Sequence, residues 1–270
     1  MIRFRTILAV LAALALSAVA FVAPASAQDS ARIHLIHGIP DTDVDVEAGG
    51  DNVFEGFSFG DTQDLGALAG ATLEGLKVKV AGTDTVAIDA GDVTLPDSGN
   101  TTIIAHLDAD GAPTLSIFSN DTSQLGAGEG RLIVRHTAAA PEVDIKANGA
   151  VAFAGVANGE GGGADLPVGT VTAEVVPAGA DEPVVIGPAD LAIADGEALI
   201  VYAVGSLEDE TLTVLTETIS GLHSNPNAVN TGTGPINDGT STTTLVAAVA
   251  ALLAAGFAVF TVARPAFRRA

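Results

Sequence analysis

Three aspartates at alternate positions, Asp41, Asp43 and Asp45, are the residues of this chain with the clearest potential for ligand chemistry. Ca²⁺ takes clustered carboxylate oxygens, so such a run could share a hard cation. An EF-hand loop also needs Gly at its sixth position and Glu at its twelfth, where Val46 and Asn52 stand. Strand alternation places Asp43 and Asp45 on one face, and the residues read first as an acidic, solvated face. A weak, non-EF calcium site at Asp41, Asp43 and Asp45 is the alternative, and no other cofactor is expected. His34 and His37 lie three apart, which on a strand points them to opposite faces and argues against a zinc pair. His106 and His223 have no partner at ligand spacing.

Nucleophilic catalysis finds little support. Cysteine is absent, no Gly-x-Ser-x-Gly elbow occurs, and no serine sits in a recognisable motif. The run Asn158-Gly159-Glu160-Gly161-Gly162-Gly163 lacks the Lys-Ser/Thr ending of a phosphate loop and reads as a flexible loop. Paired carboxylates for glycoside hydrolysis need a spatial separation that a sequence does not display. Sugar-processing clefts usually need aromatic platforms, and this chain has 10 Phe, one Tyr and no Trp. The expectation is a non-enzyme, with an envelope hydrolase as a remote alternative.

The elements that position these residues come in two copies. Arg32-Ile33-His34-Leu35-Ile36-His37 aligns without a gap on Arg131-Leu132-Ile133-Val134-Arg135-His136, an offset of 99 that continues through Phe54/Phe153 and Gly56/Gly155. His37 and His136 are therefore equivalent, each preceding a loop, and a shared structural role in holding that loop is expected. Further on the match loosens, Val78 to Asp84 resembling Val175 to Asp181. Segments 32–37, 44–47, 76–81, 101–107 and 114–118 read as strands, with turn chemistry at Asp108-Ala109-Asp110-Gly111 and no convincing helical period. About seven short strands in each unit of under a hundred residues predict an all-β chain of two tandem β-sandwich domains, Ig-like or prealbumin-like. A closed barrel is the alternative. The predicted domains are residues 29–125 and 128–222, with Gly126, Gly128 and Gly130 as a short hinge.

The stretch from Ile36-His37-Gly38-Ile39-Pro40 to Val44-Asp45-Val46, with Phe57-Ser58-Phe59-Gly60-Asp61 and Leu68-Ala69-Gly70 following, resembles the domain of unknown function 4397 family. The second unit departs from that pattern, having Thr137-Ala138-Ala139 for Gly38-Ile39-Pro40 and Asn158-Gly159-Glu160 for Phe59-Gly60-Asp61. The resemblance implies an exported bacterial protein, often with tandem copies, and carries over no catalytic residues.

Both ends of the chain are apolar. Arg3 and Arg5, an apolar run over 7–22 and Ala25-Ser26-Ala27 predict a signal peptide over 1–27, cleaved between Ala27 and Gln28. Residues 245–263 carry no charge and as a helix would extend about 28 Å, close to a hydrocarbon core. Arg264, Arg268 and Arg269 follow, so the positive-inside rule puts the tail 264–270 in the cytoplasm. Residues 223–244, rich in Ser, Thr, Asn, Gly and Pro, read as a flexible linker.

All 33 acidic residues lie between those ends, against six bases, a net of −27 for the exported part. Such a body repels nucleic acid, whose recognition depends on Lys and Arg. The expected role is a membrane-anchored cell-surface protein, single-pass with its ectodomain outside, serving as a structural, adhesion or partner-binding module of a bacterial envelope. Its expected partners are an unidentified envelope protein or glycan, with the membrane engaged through the C-terminal helix. A cation- or glycan-binding receptor is the alternative.

Overall fold

A computed structural model describes residues 31–223. The expected signal peptide with its Ala27/Gln28 cleavage site, the linker beyond residue 223, the transmembrane segment and the cytoplasmic tail lie outside the described residues. Among those described, no helix is long and apolar enough to cross a membrane.

Eight strands form the first half: β1 (Arg32–His37), β2 (Val44–Ala48), β3 (Asp51–Phe57), β4 (Thr62–Asp64), β5 (Thr72–Val80), β6 (Val86–Thr94), β7 (Asn100–Leu107) and β8 (Pro113–Ser119). A single 3₁₀ turn, Gly66–Leu68, interrupts them. Eight more form the second: β9 (Glu129–His136), β10 (Val143–Ala147), β11 (Ala150–Val156), β12 (Glu160–Pro167), β13 (Gly169–Pro177), β14 (Ile186–Ile193), β15 (Glu197–Val204) and β16 (Thr213–Ser220). The described residues are all-β and sandwich-like.

Each half pairs its strands in the same order. The sheets are β4-β1-β7-β8 and β3-β2-β5-β6 in the first half, β12-β9-β15-β16 and β11-β10-β13-β14 in the second. Within each first-named sheet one pair is parallel, β1 with β7 and β9 with β15. Parallel neighbours need a crossover, and here the intervening strands that build the facing sheet supply most of it. Alternation then fills the interior: Ile33, Leu35 and Ile103 meet Val44, Val46 and Val78 in the first sandwich. Leu132 and Val134 meet Val143, Ile145 and Val171 in the second.

A third core joins the halves. The outward side chains Ile36, Ile104 and Phe118 pack with Ile133, Ile200, Tyr202 and Leu215, and with Leu125 from the connection. The sheet β4-β1-β7-β8 therefore stacks on β12-β9-β15-β16, giving four layers with a shared core at that junction. This corrects the expected hinge: Gly130 lies within β9 and is buried, Leu125 is buried, and its N–H bonds to the carbonyl of Leu222. The glycine-rich run is also corrected, since Gly161, Gly162 and Gly163 are strand β12, paired to β9 residue by residue. Side chains are excluded at Gly161 and Gly162 by the fold. A Cβ on Gly161 would sit 2.2 Å from the Val134 carbonyl oxygen, and one on Gly162 would sit 2.3 Å from the Phe153 ring.

Candidate functional site

The three aspartates do not act together. Asp41 and Asp43 are exposed in the β1–β2 loop, Asp41 at a φ of 57°, whereas Asp45 is buried in β2. Asp43 and Asp45 therefore do not share a solvated face as alternation had suggested. Asp45 accepts the N–H of Gly82 through Oδ2 (2.9 Å) and of Gly56 through Oδ1 (2.8 Å), and these bonds hold its pKa below the ordinary value. The register slips beside Val46, a bulge that Gly56 accommodates at a φ of 62°. Asp144 repeats the arrangement on Gly155 (2.7 Å) and Gly179 (2.9 Å). With both oxygens of Asp45 bonded to backbone, the trio does not fit a calcium site. Among the described residues, no group of three or more acidic or histidine side chains could hold a metal ion.

The paired histidines close loops. His37 Nε2 donates to the Thr42 carbonyl at 2.6 Å, and His136 Nε2 to the Pro141 carbonyl at 3.0 Å. Both rings are buried, which pushes both pKa values down and keeps them neutral. His106 is also wholly buried and lowered by that burial. Its Nδ1 lies 2.8 Å from the Leu107 carbonyl and so carries the proton; Nε2 accepts from Ser116 Oγ at 2.8 Å. A serine bonded to an oriented imidazole has the connectivity of a nucleophile and its base. Here the imidazole has no exposed surface, and neither residue lines the larger clefts of the fold. The pair stitches β7 to β8.

The junction holds the densest polar chemistry, which sequence reasoning missed. Glu217 of β16 receives three side chains, two of them from the other half. Its Oε1 lies 2.5 Å from His34 Nδ1, while Oε2 accepts from Thr102 Oγ1 (2.8 Å) and from Tyr202 OH (3.0 Å). Burial works against the charged Glu217, yet the bonds from His34 and Thr102 outweigh it and hold its pKa below normal. The same bond raises the pKa of His34 against the opposing effect of burial. Burial also pushes the Tyr202 phenol far above its ordinary value.

Beside this network Asn120 Nδ2 donates to Asn100 Oδ1 (2.8 Å) and Thr102 Oγ1 (2.9 Å), and Arg135 Nη2 donates to Asn120 Oδ1 (3.0 Å). Arg131 forms a bidentate pair with Asp165 (2.6 and 2.9 Å) and reaches Asp121 in the connection at 2.9 Å. Asn158, standing where the first half has Phe59, donates to the carbonyls of Leu107 and Ala138, one from each half.

Residues 31–146 match the model of a family described as a domain of unknown function, DUF4397. Over that stretch the chain is similar to the DUF4397 family. The match spans β1 to β8 and continues into β10. No curated protein matches the chain. Within the DUF4397 stretch fall Asp45, His37 and the junction face of the first sandwich, together with Arg131 and Arg135 from the second.

Proposed function

We propose that this chain is a non-enzymatic, membrane-anchored surface protein whose two stacked sandwiches form a rigid structural, adhesion or partner-binding module of a bacterial envelope. The observation that supports this best is the shared junction core, with Ile104, Ile200 and Tyr202 fully buried between the halves. A stack so joined behaves as one stiff body rather than two beads on a hinge. His37 and His136 are each bonded to a loop carbonyl, and Glu217 to His34, as structural groups are. The sequence supplies the placement: a leader over 1–27, a linker over 223–244, an apolar segment over 245–263 and arginines after it. The acidic exterior favours protein or glycan partners over nucleic acid.

The test is fractionation of cells expressing the full chain. The chain is expected in the membrane fraction, with its N-terminus at Gln28 and its sandwiches removed by protease added outside intact cells. A variant ending before residue 245 is expected in the medium. A full-length chain recovered from the cytosol with residues 1–27 intact overturns the placement.

A further inference from the structure

Arg135 differs from the ion-paired cations packed into the fold. Lys79, Arg131 and Lys146 each have a carboxylate partner. Arg135 is half-buried and has none among the described residues, in a chain with 33 acidic side chains. Its guanidinium carbon lies 4.1 Å over the Phe118 ring, Nη2 donates to the Ser119 carbonyl (3.3 Å) and to Asn120, and Nε is buried with no acceptor. The carboxylate of Glu217 is bonded to His34, Thr102 and Tyr202 and reaches Arg135 only through space. Burial opposes the charge and lowers its pKa. A cation held this way costs free energy that no ion pair among the described residues offsets.

Arg135 lines one end of a cleft of about 500 Å³ between the connection after β8 and the edge of β12. At the other end Arg131 is closed by Asp121 and Asp165, whose side chains keep 62% and 41% of their surface exposed. The floor between is Gly161 and Gly163, paired opposite Arg135 and Ile133. In the first half the corresponding residues of β4 are Thr62 and Asp64, opposite Ile36 and His34. Side chains thus occupy the edge of one sandwich, and bare backbone forms a shelf on the other.

We propose that this cleft binds a sugar acid, with its carboxylate on Arg135, its ring on the Gly161/Gly163 shelf and its hydroxyls donating to Asp121 and Asp165. The carboxylate requires a cation without a carboxylate partner, and Arg135 keeps Nη1 to donate to it, since Nη2 is bonded to Ser119 and Asn120 and Nε is buried. The hydroxyls require acceptors with open lone pairs, which the two exposed aspartates have. A flat floor replaces the aromatic platform that this chain lacks. The ligand extends the partner-binding role proposed above and rests on that role only for its cellular setting. Binding by purified protein and fractionation of cells can therefore fail independently.

The experiment titrates the full chain, solubilised in a non-ionic detergent, with glucuronate, its methyl ester, glucose and the peptide acid N-acetyl-alanyl-alanine. The ¹⁵N resonance of the buried Arg135 Nε–H reports on the cleft. Glucuronate is expected to shift it saturably, and the uncharged ester and glucose at least about tenfold more weakly. Arg135→Gln is expected to abolish binding and Arg135→Lys to retain part of it, both followed calorimetrically. A Cβ on Gly163 meets only ordinary contacts, 3.5 Å from Ile133 Cγ1, so Gly163→Val fills the shelf and is expected to weaken binding with the fold intact. Should Arg135→Gln not fold, Gly163→Val decides. Equal binding of acid and ester, binding of the peptide acid alone, unchanged binding by folded Arg135→Gln or Gly163→Val, or no saturable shift up to about 10 mM glucuronate overturns the proposal.

Discussion

The two halves of this molecule agree in their interiors and differ on the faces they turn to each other. Strand order, the aspartate bonded to two glycine N–H groups and the histidine clamping the next loop occur in both. Across the junction the equivalents diverge. Thr102 and Phe118 are neighbours on β7 and β8, where β15 and β16 have Ile200 and Glu217. Ile36 of β1 is replaced by Arg135 of β9. Two identical faces would set like against like; here Glu217 meets His34 and Thr102, and Arg135 meets Phe118 and Asn120. Two sandwiches of the same strand order stack here because their outward sheets are complementary, while the framework within each half is alike.

The sharpest way to break this comparison is to cut into the junction. Ile104→Ala and Ile200→Ala each remove a fully buried side chain and are expected to cost about 2–5 kcal/mol. Calorimetry of the wild type should show one cooperative transition. Two resolved transitions in these variants, but not in Ile33→Ala within the first core, would confirm that the junction couples the halves.

Glu217→Ala strands His34, Thr102 and Tyr202 together, and a loss of roughly 3–5 kcal/mol in denaturant unfolding is expected. An effect near zero would mean that the junction is held by its apolar contacts alone.

The shared framework is tested by Asp45→Asn and Asp144→Asn, one in each half, which should lower the melting temperature of the single transition by similar amounts. Asp43→Asn and Asp41→Asn, both exposed, should stay within about 0.5 kcal/mol of wild type, whether or not Ca²⁺ is present. A large calcium-dependent effect at Asp43 would restore the cation reading.

The subtlest difference lies in pH. His37, His106 and His136 have pKa values depressed below 6.5 by burial, so their stabilisation is complete above that value and is lost as the pH falls through their folded pKa values. His34 has the opposite sign: raised by Glu217, it contributes fully below 6.5 and loses its effect as the pH rises through its folded value. Glu217, lowered below 4.5, contributes above that value and fails in stronger acid. Stability should therefore fall from about pH 7 to about pH 5, and more steeply in His34→Gln, which lacks the compensating pair. Denaturant midpoints across that range check the order.

Much of the framework was legible in the chain. The offset of 99 predicted the equivalence of His37 and His136, and their shared loop-holding role follows from their place at a strand end. β3 was harder to read, being a largely exposed edge strand with charges and a glycine. The sequence of β12 reads as a loop because glycine signals freedom, whereas in the fold it signals closeness to the Val134 backbone and the Phe153 ring. Asp45 was placed on a solvated face because alternation fixes the side a residue points to, not whether that side is covered.

The sequence by itself determined what is local or repeated: alternating apolar strands, turn glycines, the duplication and the excess of acid. Such features depend on backbone geometry and on neighbours a few residues away. Only the tertiary structure decided that the halves share a core, that Glu217 finds His34 183 residues distant, and that Arg135 overlooks a bare glycine shelf. Those outcomes depend on which faces meet, and face-to-face packing leaves no periodic trace in either strand.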